Sequence, residues 1–180
     1  MKRFVQLFEA LDQTTKTKAK VSALADYFQE APSSDKLWAI ALLSHKRPKR
    51  SVTMTLLRTW AAEEGNLPLW LFEESYHIVG DLAEAIALVL PRPEKTSDKS
   101  LTEWIELLID LGNKNDDEKK AIITDAWAGM DHRERFIFNK IITGGFRVGV
   151  SSKLVTRALA IVTNIEENVI MHRLMGNWTP

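Results

Sequence analysis

Thr143-Gly144-Gly145-Phe146-Arg147-Val148-Gly149-Val150-Ser151-Ser152-Lys153 joins one apolar helical stretch to another through three glycines. On its left Phe136, Ile137, Lys140 and Ile141 repeat at helical spacing, and on its right Leu154, Val155, Ala158, Leu159 and Val162 do the same. The connection therefore reads as helix, tight turn, helix, with Ser151 and Ser152 where an N-cap is expected. Glycine lets a backbone approach a ligand without a Cβ in the way. Free N–H groups at the second helix start, flanked by Arg147 and Lys153, would attract an anion. A Gly-Gly turn is also commonly a mere connection, and Phe146 reads either as a wedge against a ligand or as a packed residue fixing the turn.

The same periodicity extends over nearly the whole chain. Phe4, Leu7, Phe8 and Leu11 make one face of a first helix; Val21, Leu24, Ala25 and Phe28 make a second, stopped by Ala31-Pro32. Ser34 then reads as an N-cap for Leu37, Trp38, Ala41 and Leu42. A fourth helix carries Met54, Leu57, Trp60 and Ala61 and ends at Gly65-Asn66; a fifth starts at Pro68 and carries Leu71, Phe72, Tyr76 and Val79. Gly80 breaks it, Asp81 caps the next, and Pro91-Arg92-Pro93 opens a polar segment, residues 94–99, that reads as a surface linker. Further helices centre on Leu101 to Ile109 and Ala121 to Trp127, and the last two begin near Ser151 and Asn164. No strand alternation competes, so the expected fold is all-α, a compact domain of roughly eleven helices. Val79-Gly80-Asp81-Leu82 faintly echoes Val148-Gly149-Val150-Ser151, which allows two pseudo-symmetric halves, residues 1–93 and 100–180.

Charge narrows the anion. The formal net charge is +0, but residues 1–62 hold 11 Lys and Arg against 5 Asp and Glu, residues 63–130 hold 6 against 15, and residues 131–180 hold 7 against 4. No acid occurs between Lys36 and Ala62 or between Arg135 and Ile165. The first segment contains Lys46, Arg47, Lys49 and Arg50; the second contains Lys140, Arg147, Lys153 and Arg157. Two acid-free segments point to a positive face assembled by folding, and a DNA or RNA backbone is the polyanion that such a face suits.

Other chemistries find less support. With no cysteine, disulfides and thiol catalysis are excluded, and a cytosolic setting is compatible. Neither a signal peptide nor a membrane span is legible. His45, His77, His132 and His172 lack metal-ligand spacing, so no metal site is expected. Glu73-Glu74, Asp116-Asp117-Glu118 and Glu166-Glu167 come with no nucleophile or matched base. The six tryptophans fall mainly in apolar stripes and read as core.

The run from Asn139 to Ser151, followed by Leu154-Val155 and Ala158-Leu159-Ala160, resembles the signature of the helical DNA-binding domain of ATP-dependent DNA ligases. Phe4, Leu7, Leu11 and Thr14 to Thr17 are similar to that domain's first helix and turn, and Gly80-Asp81-Leu82-Ala83 to an internal segment of it. The Lys46 to Arg50 loop and His172-Arg173-Leu174-Met175-Gly176-Asn177-Trp178 resemble the bacterial branch. The resemblance implies sequence-independent binding of double-stranded or nicked DNA over the minor groove, by a monomer acting with the catalytic domains of its parent chain. It also implies a parent ligase that uses ATP and Mg, works in repair or replication, and is cytoplasmic and nucleoid-associated. The Lys-x-Asp-Gly motif of lysyl-AMP formation is missing; its nearest lookalike is Lys114-Asn115-Asp116-Asp117, so this chain alone should bind DNA without sealing it and hold no cofactor.

The expected DNA contacts are Thr143, Gly144, Gly145, Phe146, Arg147, Gly149, Ser151, Ser152 and Lys153 at the glycine turn, with Lys140 before it. Lys46, Arg47, Lys49 and Arg50 form a second set, and Thr15, Lys16, Thr17 and Lys18 a third that reads equally as a helix start with exposed lysines. The alternative from a different class is a helical scaffold that binds another protein through its acidic middle third.

Overall fold

The structure is a computed structural model of residues 1–180 that describes all of them except Glu94, Arg147, Asn177 and Thr179. Among the described residues there are eleven α-helices and no strand: α1 (Lys2–Asp12), α2 (Thr17–Glu30), α3 (Ser33–Leu43), α4 (Met54–Glu64), α5 (Leu69–Val79), α6 (Leu82–Val89), α7 (Leu101–Asp110), α8 (Asp116–Ala128), α9 (His132–Thr143), α10 (Ser152–Thr163) and α11 (Glu167–Met175). A short 3-10 turn, Leu111–Asn113, follows α7. The chain divides into two compact units, but not into the sequential halves that the echo allowed. The first unit is Met1–Arg47, Ser100–Thr102 and Phe146–Pro180; the second is Pro48–Lys99 and Glu103–Gly145.

In the first unit α10 lies along α2, α1 packs on α2, and α11 packs back on α10. Apolar residues at helical spacing drive this: Phe4, Leu7, Phe8 and Leu11 of α1 and Leu24, Tyr27 and Phe28 of α2 are buried, and α10 adds Val155 and Ala158. Two predicted boundaries shift. α3 begins at Ser33, directly behind Pro32, so Ser34 lies inside the helix instead of capping it. Asn164 is left-handed (φ 55) and closes α10, while α11 begins only at Glu167. Asp35 faces inward, where its carboxylate accepts from the Leu101 amide at 3.3 Å, the Thr102 amide at 3.0 Å and the Thr102 hydroxyl at 2.6 Å.

The second unit is built around α9, whose residues from Glu134 to Ile142 are buried except Phe136, and α6 packs against it. Arg135 is 3% exposed and, among the described residues, hydrogen-bonds carbonyls: Trp127 at 2.7 Å, Pro91 at 2.5 Å and Leu90 at 3.4 Å. A guanidinium taken from water must find oxygens, and here they are the ends of α6 and α8. Burial pulls the Arg135 group below its ordinary value, with Asp131 opposing. The polar segment after Pro93 ends at Lys99, the last residue of this stretch of the unit. Ser97 donates its amide to Gly129 at 2.9 Å, Lys95 pairs with Asp125, and Lys99 lies over the Trp104 ring, all within this unit; Glu94 lies outside the described residues. On α5 only Phe72 is buried. Trp70 is 66% exposed and Ile78 86%, so Trp70 departs from the expectation that the tryptophans are core.

Burial raises the Tyr27 phenol well above its ordinary value of about 10, Asp35 adds to the rise and Arg3 opposes it. Because the folded value is the higher one, the folded state holds a proton that the unfolded chain loses above about pH 10. The stabilisation is complete below that pH and disappears as pH climbs further. We predict that unfolding free energy of the wild type falls from about pH 10 upward and that Tyr27→Phe loses less over the same window. At neutral pH the substitution should cost less than ~1 kcal/mol, since the hydroxyl reaches the Asp35 carbonyl only at 3.4 Å. Urea titrations at several pH values measure both.

Candidate nucleic-acid interface

α9 ends at Thr143, and the glycine stretch that follows has left-handed backbone at Gly144 (φ 88), Gly145 (φ 96) and Gly149 (φ 59). Between them Phe146 and Val148 are buried, and the Phe146 ring meets Phe4 and Phe8 edge-on, with centroids 6.1 and 5.9 Å apart. Phe146 is therefore an anchor for the turn, and its expected contact with DNA is corrected: an aromatic ring sealed against α1 has no face left for a sugar. Arg147 lies outside the described residues.

Beneath the turn is a residue that the sequence reading passed over. Lys20 of α2 is 7% exposed and donates to the carbonyl of Val148 and, at 3.2 Å, to that of Gly149. In a trans peptide the carbonyl and the following N–H point in opposite directions, and no peptide here is cis. With both carbonyls drawn to Lys20, the N–H groups of Gly149 and Val150 are directed away from it. Helical spacing held the signal, because Lys20 shares the stripe of Leu24, Tyr27 and Phe28 at i+4, i+7 and i+8.

α10 starts immediately afterwards. Ser151 is its N-cap by backbone conformation (φ −97, ψ 159), yet its hydroxyl makes no capping bond. Its carbonyl takes the Leu154 amide at 2.9 Å, which leaves the amides of Ser152 and Lys153 with no acceptor among the described residues. Ser151, Ser152 and Lys153 are all exposed. The first turn of a helix thus presents open donors and a lysine together. Thr15, Lys16, Thr17 and Lys18 are also exposed, at the start of α2. The N-cap there is Lys16, with no side-chain bond, while the Thr14 hydroxyl accepts from the Lys16 amide at 3.1 Å. Lys46 and Arg47 are exposed; the Lys46 ammonium stands 4.3 Å from the centre of the Trp178 ring.

In the second unit the basic loop continues with exposed Lys49 and Arg50. The Arg50 guanidinium donates to the Thr143 carbonyl at 3.3 Å, and Ser51 donates to the Leu108 carbonyl at 2.8 Å, with Val52 buried beside them. Folding thus brings Arg50 to the residue at which the glycine stretch begins. The Thr143 hydroxyl donates back to the Asn139 carbonyl at 2.9 Å. Lys140 differs from its expected role. It is 8% exposed and ion-paired with Asp81, the residue whose carboxylate caps α6 by accepting from Glu84 at 3.1 Å. Paired with a carboxylate that is itself 33% exposed, this ammonium joins α9 to the start of α6 within the unit. Arg135, from the same acid-free segment, is likewise internal.

Among the described residues no three His, Asp or Glu side chains group to hold a metal ion. The Lys-x-Asp-Gly lookalike is a helix start: Asn115 caps α8 in a reciprocal box with Glu118, and Lys114 pairs with Asp110 at 3.0 Å. Its hydrogen bond to Asp110 raises the Lys114 ammonium above its ordinary value. No helix among the described residues is long and apolar enough to cross a membrane.

A family model described as DNA ligase N terminus matches residues 1–160, and the chain belongs to that family, which is part of the ATP-dependent DNA ligases. No curated protein matches the chain.

A Cβ on Gly149 would stand 2.8 Å from the Lys20 ammonium, on a backbone at φ +59. Gly149→Ala should therefore destabilise by roughly 1–2 kcal/mol from the left-handed backbone, before any displacement of Lys20. Gly112→Ala, where a Cβ meets nothing within 4 Å, is the control and should leave the denaturation midpoint near that of the wild type.

Proposed function

We propose that the chain binds the sugar–phosphate backbone of double-stranded or nicked DNA without regard to sequence, as the DNA-binding domain of an ATP-dependent ligase. One observation carries the reading: at the start of α10, Ser151 leaves its capping place unused and the amides of Ser152 and Lys153 are open beside exposed side chains. Backbone N–H groups at a helix start are suited to phosphate oxygens, and family membership supplies DNA as their source. Gly149, Ser151, Ser152 and Lys153 would hold one phosphate, with Arg147 adding charge; the Gly144 amide is spent on the Lys140 carbonyl at 2.8 Å, closing α9. Lys46, Arg47, Lys49 and Arg50 would meet a second stretch of backbone, and Thr15, Lys16, Thr17 and Lys18 a third.

Contacts of these groups with phosphate and sugar would draw affinity from charge and backbone amides and little from sequence. Docking over the minor groove around a nick, as a monomer beside the catalytic domains of the same parent chain, completes the proposal. That parent would seal nicks with ATP and Mg, in repair or replication, in a bacterial cytoplasm. A second reading, contact with another protein, is favoured by exposed Trp70 and Ile78 on α5.

If about 6 phosphates are neutralised, log K for a nicked duplex should fall with log salt at a slope of about −5. Lys49→Ala and Lys153→Ala should each make the slope shallower by about 1, for every duplex sequence tried. Fluorescence anisotropy over a salt series measures this. No binding at low salt would reject the proposal and favour the second reading.

A further inference from the structure

Each unit contains the same small device. In the second, Val79-Gly80, with Gly80 left-handed (φ 77), leads into the N-cap Asp81 and helix α6, and Lys140 of the packed helix α9 ends on Asp81. In the first, Val148-Gly149, with Gly149 left-handed (φ 59), leads through Val150 into the N-cap Ser151 and helix α10, and Lys20 of the packed helix α2 ends beneath the turn. Both lysines are more than nine-tenths buried.

The two devices differ in one chemical respect. Asp81 brings a carboxylate that caps α6 and neutralises Lys140. Ser151 brings no charge and caps nothing, and Lys20 is held by two neutral carbonyls, with no carboxylate paired to it among the described residues. A buried cation left without a counter-ion keeps its field, and a low-dielectric surrounding screens that field weakly. The field emerges where the amides of Gly149 and Val150 already point outward. At Gly80 the corresponding field is cancelled locally.

We infer that Lys20 is the positioning residue of the phosphate contact, and that its unneutralised charge makes the Gly149 turn, and not the Gly80 turn, the one of the two that holds a DNA phosphate. The inference rests on the duplex-binding reading above. Lys20 acts through the turn: it orients the Val148 and Gly149 peptides and supplies a fixed charge behind them without touching DNA.

Two variants test it with a short nicked duplex as the probe. Ser151→Asp gives the first turn the acid that the second already has; Asp is a strong N-cap, so the melting temperature should hold or rise. Its Kd should nevertheless increase by about tenfold or more at moderate salt, with the salt slope shallower by about 1. Lys20→Met should lower the melting temperature and, measured where it is still folded, also make the slope shallower by about 1, while Lys20→Arg should restore it. A purely structural lysine would move the melting temperature and leave the slope of the folded protein unchanged. Wild-type slope and affinity in folded Ser151→Asp, or wild-type slope in folded Lys20→Met, overturns the inference while leaving duplex binding intact. Failure of the wild type to bind the duplex at low salt removes the binding reading itself, and the inference with it.

Discussion

A lysine ammonium withdrawn from water has to be surrounded by oxygen, and in the first unit Lys20 meets that demand with the carbonyls of Val148 and Gly149. Much follows from this one contact. It fixes which way two peptide planes face, and so where their N–H groups point. It adds to the preference for glycine at position 149, where the backbone is left-handed and a Cβ would crowd the ammonium. Phe146 and Val148, buried on either side of Arg147, hold the rest of the turn against α1. The open helix start at Ser151 is presented from a turn tied down at three points.

The second unit uses the same physics for a different end. Arg135 gathers the carbonyls of Leu90, Pro91 and Trp127, and Lys140 takes the Asp81 carboxylate, so both cations are consumed in joining α9 to its neighbours. Breaking such a pair would leave a buried charge uncompensated, which typically costs about 3–5 kcal/mol. A count of lysines and arginines in an acid-free segment therefore overstates the charge available to DNA. Among the described residues, what reaches solvent is Lys46, Arg47, Lys49, Arg50, Lys153 and Arg157, the last ion-paired with Glu167 at 3.7 Å, with Lys16 and Lys18 at the start of α2.

The helices were legible because their apolar spacing and their stops are local. Gly65, Gly80 and the Asp81 cap stand where glycine chemistry and capping put them, and Pro68 precedes α5. Ser34 and Asn164 misled because each had a competitor: Pro32 permits a helix one residue earlier, and asparagine tolerates the left-handed conformation that ends a helix. The candidate site was legible in its turn and its open cap, but not in its support. Lys20 follows Lys16 and Lys18 at alternate positions, and only the stripe it shares with Leu24 and Phe28 separates it from them. Lys140 sits similarly between Ile137 and Ile141, in a position that apolar neighbours mark as internal. The Val148 carbonyl, 128 positions away from Lys20, is a partner that no local pattern announces.

The central claim is that the amides around Gly149 and the start of α10 are the groups that meet a phosphate. A heteronuclear NMR titration of the labelled chain with a nicked duplex at low salt tests it residue by residue. The account predicts that the amide resonances of Gly149, Val150, Ser152 and Lys153 move early and move back as salt is added. Shifts confined to the exposed face of α5 around Trp70 and Ile78, with those four amides unmoved, would contradict it.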